Sequence, residues 1–110
     1  MNKLHLSLDA RTDLAEMREY ISTERENPSA AKSTVARITK GIRVLQSFAH
    51  AGAMLSSITD IQSEYRYLAV GNYMVFYRVL GEDVYIDRVL YGKSNYLRTL
   101  LDADPDSLWQ

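Results

Sequence analysis

Residues 65–91, YRYLAVGNYMVFYRVLGEDVYIDRVLY, alternate apolar and polar side chains and are broken twice at glycine. A period of two marks strands with distinct faces. Tyr65–Val70, Tyr73–Leu80 and Asp83–Tyr91 therefore read as three strands, joined by the two-residue loops Gly71-Asn72 and Gly81-Glu82. Loops this short fix register, pairing Val70 with Tyr73 and Leu80 with Asp83. Strict alternation then puts Leu68, Val70, Tyr73, Val75, Tyr77, Val79, Val84, Ile86 and Leu90 on one aliphatic face, with Arg66 and Arg88. That face suits a layer of helices, and its two arginines need either a margin or a carboxylate partner. The opposite face takes Tyr65, Tyr67, Ala69, Met74, Phe76, Arg78, Leu80, Tyr85, Asp87, Val89 and Tyr91. So many aromatics do not belong on a merely solvated face, which is either a binding surface or covered by something. Arg78 falls opposite Tyr85 and near Tyr65, an arrangement suited to a cation–π contact.

Upstream, Leu4, Leu6 and Leu8 alternate with Lys3, His5 and Ser7 as a short strand. Asp9 suits an N-cap. Ala10, Leu14, Met17 and Ile21 follow at helical spacing, giving a first helix to about Arg25. Asn27-Pro28 ends it and opens a second, with Asn27 as N-cap and proline in the first helical position. The second helix continues to about His50 on the stripe Ala31, Val35, Ile38, Ile42 and Leu45, with Lys32, Lys40 and Arg43 on another face. So tight a connection makes an antiparallel helix hairpin. Gly52 suits the left-handed position after a helix end. Residues 53–63 read as a loop, or a short helical turn, that packs down through Leu55, Ile58 and Ile61.

Downstream, Gly92 ends the last strand, and Ser94 to about Leu101 suits a short helix. Residues 102–110 form an acidic tail with a lone Trp109. Strand, helix hairpin, three-stranded antiparallel meander and short C-terminal helix is an α+β order, expected as a single domain over 1–110.

Composition narrows the function classes. The 110 residues include no cysteine, so disulfides and thiolate metal sites are excluded. His5 and His50 stand far apart in sequence, and nothing calls for a metal or cofactor. No stretch approaches the roughly 18 apolar residues of a membrane span, and the opening residues lack a signal-peptide pattern; a cytoplasmic protein is the expectation. Net charge is −1, and +2 without the three aspartates of the tail. That is no strongly basic nucleic-acid-binding chain. There is also no Ser/His/Asp set and no glycine-rich phosphate loop. Metal-free nuclease chemistry needs a base, an acid and phosphate-binding cations, and no residue is singled out for these roles.

The order of elements, the strand Tyr73-Met74-Val75-Phe76-Tyr77 after a tight turn, and Arg88-Val89-Leu90-Tyr91-Gly92-Lys93-Ser94-Asn95-Tyr96 together resemble the RelE/ParE superfamily. These are the toxin halves of bacterial type II toxin–antitoxin modules. The resemblance runs over the whole chain in element order and is specific in residues 65–97. It implies two N-terminal helices on an antiparallel sheet, a cognate antitoxin, and one of two targets: mRNA in the ribosomal A site for RelE-type members, or DNA gyrase for ParE-type members.

The cations that RelE-type nucleases place on the open sheet face and after the last strand fall here on Tyr65, Tyr67, Met74 and Ser94. A tyrosine near the C-terminus falls on Leu100, and the family's His and Arg-Asp pair on Tyr91 and Ser94-Asn95. The resemblance therefore implies a ParE-like action on gyrase. Were the chain a nuclease, Arg78 and Lys93 would be its phosphate-contacting cations, and Tyr91 or Tyr96 its proton-transfer groups. A non-toxic interaction module on the same fold is a further alternative. Antitoxin or target binding is expected at Tyr65, Tyr67, Phe76 and Tyr85, with Arg66 and Arg88, or in the groove beside the two helices. Phe76→Ala and Tyr85→Ala are expected to weaken that complex without unfolding the toxin.

Overall fold

The computed structural model describes residues 1–24, 26–59 and 63–102, the last two by their backbone alone. Strand β1 (Lys3–Leu6) leads into α1 (Leu8–Thr23), which turns back as α2 (Pro28–Val44). A two-residue strand β2 (Ala53–Met54) and a 3₁₀ turn (Leu55–Ser57) precede the meander β3 (Arg66–Val70), β4 (Tyr73–Leu80) and β5 (Asp83–Tyr91). Helix α3 (Tyr96–Asp102) follows. The α+β reading is thus what the chain adopts, with the meander at the centre of a five-stranded sheet ordered β1-β5-β4-β3-β2. β1 lies parallel to β5; the other pairs are antiparallel.

Both hairpin loops form where the glycines place them. Gly71 and Gly81 adopt φ of 59° and 61°, which suits glycine at the first central position of a type II′ loop. Val70 faces Tyr73 and Leu80 faces Asp83, as the loop lengths require.

Helix boundaries differ from expectation for local reasons. Ser7, not Asp9, is the N-cap of α1: its hydroxyl accepts from the Ala10 amide at 2.9 Å and donates to the Asp87 carbonyl at 2.7 Å. One buried serine therefore starts the helix and ties it to β5, and Asp9 becomes a first-turn residue. Asn27 caps α2 with Pro28 next to it, as read from sequence. α2 stops at Val44, six residues short of His50. The carbonyls just beyond it, which a longer helix would use, are taken by Asn2: its side-chain amide donates to the Leu45 carbonyl at 3.1 Å and its backbone N–H to the Gln46 carbonyl at 2.8 Å.

Gly52 does not have a positive φ. It is glycine because the chain passes too close to the sheet: a Cβ there would stand 2.4 Å from the Tyr67 carbonyl oxygen and 2.6 Å from the Tyr77 hydroxyl. The Gly52 N–H donates to that hydroxyl at 2.9 Å, and the hydroxyl donates to the Ala49 carbonyl at 2.9 Å. In the loop of 53–63, Leu55 is fully buried, Ile58 is half exposed, and Ile61 lies outside the described residues. The tail expected from 102 onward likewise lies outside them after Asp102.

The principal correction is on β5. The β4–β5 ladder carries a bulge: Tyr77 faces Ile86, but Phe76 faces Arg88, leaving Asp87 without an opposite number. A one-residue insertion reverses every later side chain relative to strict alternation. Val89 consequently joins the helix-facing core beside Val75, and Leu90 moves to the other face beside Met74. Tyr91 goes with Tyr73, edge to face at 5.7 Å. The helix-side core unites Ile38 and Ile42 of α2 with Leu45 just after it, Met17 and Ile21 of α1, and Val75, Tyr77, Val84, Ile86 and Val89 of the sheet. Among the described residues no helix is long and apolar enough to cross a membrane.

Candidate functional site

The aromatic face of the sheet is covered by the chain itself. Leu100 of α3 packs with Leu55, Tyr65 and Phe76 in a second core, and Tyr67, Met74, Leu90, Tyr96 and Leu97 flank it. The Tyr96 ring stacks on Phe76 at 5.2 Å. Phe76 is fully buried and Tyr65 nearly so, which removes both from any surface offered to a partner. The expectation that Phe76→Ala would leave the fold intact is therefore corrected, since α3 turns that face into core. Tyr67 and Tyr85 remain partly exposed.

Beside this core lies a polar cluster. Arg78 donates Nε to Asp87 at 2.7 Å and Nη2 at 3.3 Å, and its guanidinium sits 5.7 Å from the centre of the Tyr85 ring. The expected cation–π contact is thus present, with an ion pair added. The Asp87 side chain is wholly buried, so Arg78 is held by a charge that needs it. Tyr85 in turn stacks on His5 at 4.8 Å, and His5 Nε2 lies 2.8 Å from Asp83. The Tyr65 hydroxyl is buried beside the Asp87 carboxylate, with no partner at full hydrogen-bond geometry. Burial first, and then the nearby Asp87 charge, push its pKa up to about 12.

The other two candidate arginines, Arg88 and Arg66, have structural partners. Arg88 makes a two-pronged pair with Asp13 of α1, both contacts at 2.8 Å, and the same carboxylate accepts the Val89 N–H at 2.9 Å. That hydrogen bonding raises the Arg88 pKa further. Arg66 donates to the Gly52 carbonyl at 2.9 Å. Lys93 is exposed in the turn after β5. The four nuclease candidates do not share one face of the sheet. Tyr96 and Arg78 lie with the second core, Arg78 in its ion pair; Tyr91 lies on the helix side with Tyr73; Lys93 stands in the loop.

An open groove lies elsewhere among the described residues. A groove of about 1050 Å³ runs between α1, the start of α2 and the outer end of β5. Asp13, Glu16, Met17 and Tyr20 line its α1 wall; Ala30 and Thr34 come from α2; Tyr73, Val89 and Tyr91 from the sheet. It is the groove beside the helices that the sequence raised as an alternative, but Asp13, Glu16, Tyr20 and Tyr73 were not among the residues picked out. The first three were legible as one helix face, at spacings of three and four.

A helix hairpin on one face of the meander, with a short C-terminal helix on the other, is the α+β arrangement that the RelE/ParE resemblance implies. A family model described as the ParE toxin of the type II toxin-antitoxin system parDE matches residues 4–96, and the chain belongs to that family. It is accordingly a type II toxin. A solved structure, "Chromosomal ParDE TA system from P. aeruginosa", is similar with a TM-score of 0.67 and 23% identity, over 83% of this chain and 96% of that one. No curated protein matches the chain in sequence.

Proposed function

We propose that this toxin acts in the cytoplasm on DNA gyrase, without cleaving RNA, and that a cognate antitoxin neutralises it. The observation that carries the reading is the division of the nuclease candidates between the two faces of the sheet. Phosphate chemistry without a metal needs cations and proton-transfer groups converging within hydrogen-bond reach of one substrate. Here Arg78 is committed to buried Asp87, Tyr96 is stacked on Phe76, and Tyr91 lies on the far side of the sheet. The near-neutral charge also fits poorly with docking on ribosomal RNA, where phosphate contacts dominate affinity.

The test uses purified toxin with DNA gyrase and relaxed plasmid, in parallel with mapping of mRNA ends after induction. The expected result is loss of supercoiling with no codon-phased cleavage. Phased mRNA ends with unimpaired supercoiling would overturn it in favour of ribosomal action. Normal growth on induction without antitoxin would instead favour an interaction module.

A further inference from the structure

Helix α2 carries Lys32, Arg37, Lys40 and Arg43 and has no Asp or Glu between Pro28 and Val44. That is +4 in a chain whose net charge is −1, so the rest of the chain stands at −5. Its partner in the hairpin is the opposite case: α1 holds Asp9, Asp13, Glu16 and Glu19 against Arg11 and Arg18. The buried stripe of α2 is Ala31, Ile38 and Ile42. At about 100° per residue, Lys40 stands opposite that stripe, with Lys32 and Arg43 to one side and Arg37 to the other. All four cations are exposed, and none makes an ion pair among the described residues.

A helix face that only meets water usually mixes its charges, since opposite charges three or four apart stabilise a helix and like charges there repel. Here Arg37, Lys40 and Arg43 follow at spacings of three, all of one sign. Arg43 sits in the last turn, where the helix dipole favours a cation. Lys32, Arg37 and Lys40 have no such local reason. Lys32 and Arg43 lie three turns apart, about 16 Å, far enough to reach phosphates on both rims of a groove about 12 Å wide. Ser29 and Ser33, also exposed, add hydroxyl donors of the kind that bind phosphate. α2 has no aromatic residue, so nothing on it stacks on the bases of a single strand. Charge and hydroxyl donors without a stacking ring suit the backbone of a duplex.

We propose that the outer face of α2 binds the phosphate backbone of duplex DNA, without reading its sequence. The inference deepens the gyrase reading and rests on it for its setting: the duplex is the one that the enzyme holds. Contact with about four phosphates is weak by itself, and it adds to a protein–protein interface without replacing it.

The test takes the full-length toxin and a fluorescently labelled duplex of about 20 base pairs and arbitrary sequence. Anisotropy is followed at several salt concentrations between about 50 mM and about 200 mM. Binding is expected to fall about fiftyfold over that range, a slope of about −3 in log K against log salt. Lys32→Gln with Lys40→Gln should weaken binding about tenfold at low salt and reduce the slope by about two. Arg18→Gln, an exposed cation on the acidic helix, should change neither. An unchanged thermal transition verifies that these surface variants fold. No binding at about 50 mM salt, or a slope unaltered in the double variant, would overturn the inference. Tighter binding to a single-stranded RNA of equal length would overturn it too. If the double variant loses the same factor in affinity for gyrase without DNA, the face meets an acidic protein surface and the inference fails. In each of these cases the gyrase reading survives if wild type still blocks supercoiling. Duplex binding of the expected slope by a toxin that leaves supercoiling unimpaired would remove the gyrase reading and keep the DNA-binding face.

Discussion

The Tyr65 hydroxyl is the buried side-chain polar atom that lacks a partner at full hydrogen-bond geometry among the described residues. Its proton is held more tightly in the folded chain than in the unfolded one, because an anion there would be desolvated and would face Asp87. Folding stability from this group is therefore complete below pH 10 and is lost as pH rises from 10 to about 12. The loss is on the order of 2 kcal/mol. Tyr65→Phe should change stability little at pH 7, since the hydroxyl it deletes faces Asp87 without full hydrogen-bond geometry. Urea unfolding across the alkaline range should then show a shallower decline than wild type, and an equal decline would show that Tyr65 is not the group responsible. Phe76 beside it behaves differently. It is fully buried between the sheet and α3, so Phe76→Ala should cost about 3–5 kcal/mol in the same assay. The sequence placed Phe76 on the correct face but could not say that the face was covered. Burial there depends on Leu100 and Leu55, distant in the chain and joined to it only by the fold.

Most elements were legible because each is specified locally: the period-two meander, the two glycine loops, the Asn27-Pro28 helix start. Three features were not. The bulge at Asp87 has no glycine or proline to announce it, and alternation carried past it misplaces Val89, Leu90 and Tyr91. The N-cap at Ser7 was hidden by Asp9, an equally good capping residue, and was decided by the second bond from Ser7 to the Asp87 carbonyl. β2 has only two residues, too few for a periodic signal, and exists through its pairing with Tyr67 and Arg66. Gly52, beside it, shows how tightly that connection is set. A side chain there would strike the Tyr67 carbonyl and separate the Tyr77 hydroxyl from its partners. Gly52→Ala is expected to destabilise the protein by about 3 kcal/mol, at the upper end for an overpacked site. That corresponds to a fall in Tm of roughly 10–20 °C for a domain of this size. A change of only a few degrees would mean that the segment from Ala51 to Ala53 moves away from the sheet at little cost.

Across the whole molecule, both sheet faces are occupied, one by the helix hairpin and the other by α3 with the 3₁₀ turn. Open functional surface is left at the sheet edge and on the outer face of α2. This arrangement separates two kinds of residue that the sequence could not separate. Arg78 holds Asp87 in place, so Arg78→Gln would lose toxicity through lost folding under either mechanism. Lys93 is exposed and makes no ion pair among the described residues, so its removal reports on mechanism alone. Tyr96 contributes a stacked ring whose hydroxyl the packing does not require. Lys93→Gln and Tyr96→Phe, alone and together, should therefore leave growth inhibition within about twofold of wild type at equal soluble protein, since surface changes typically stay within about 0.5 kcal/mol. A ribosomal nuclease would behave otherwise: losing its phosphate-contacting cation or a proton-transfer group would lower the rate by about a hundredfold or more. Growth curves under titrated induction, paired with immunoblots of the soluble fraction, distinguish the two. Loss of toxicity in Lys93→Gln at undiminished protein would return the chain to the nuclease class.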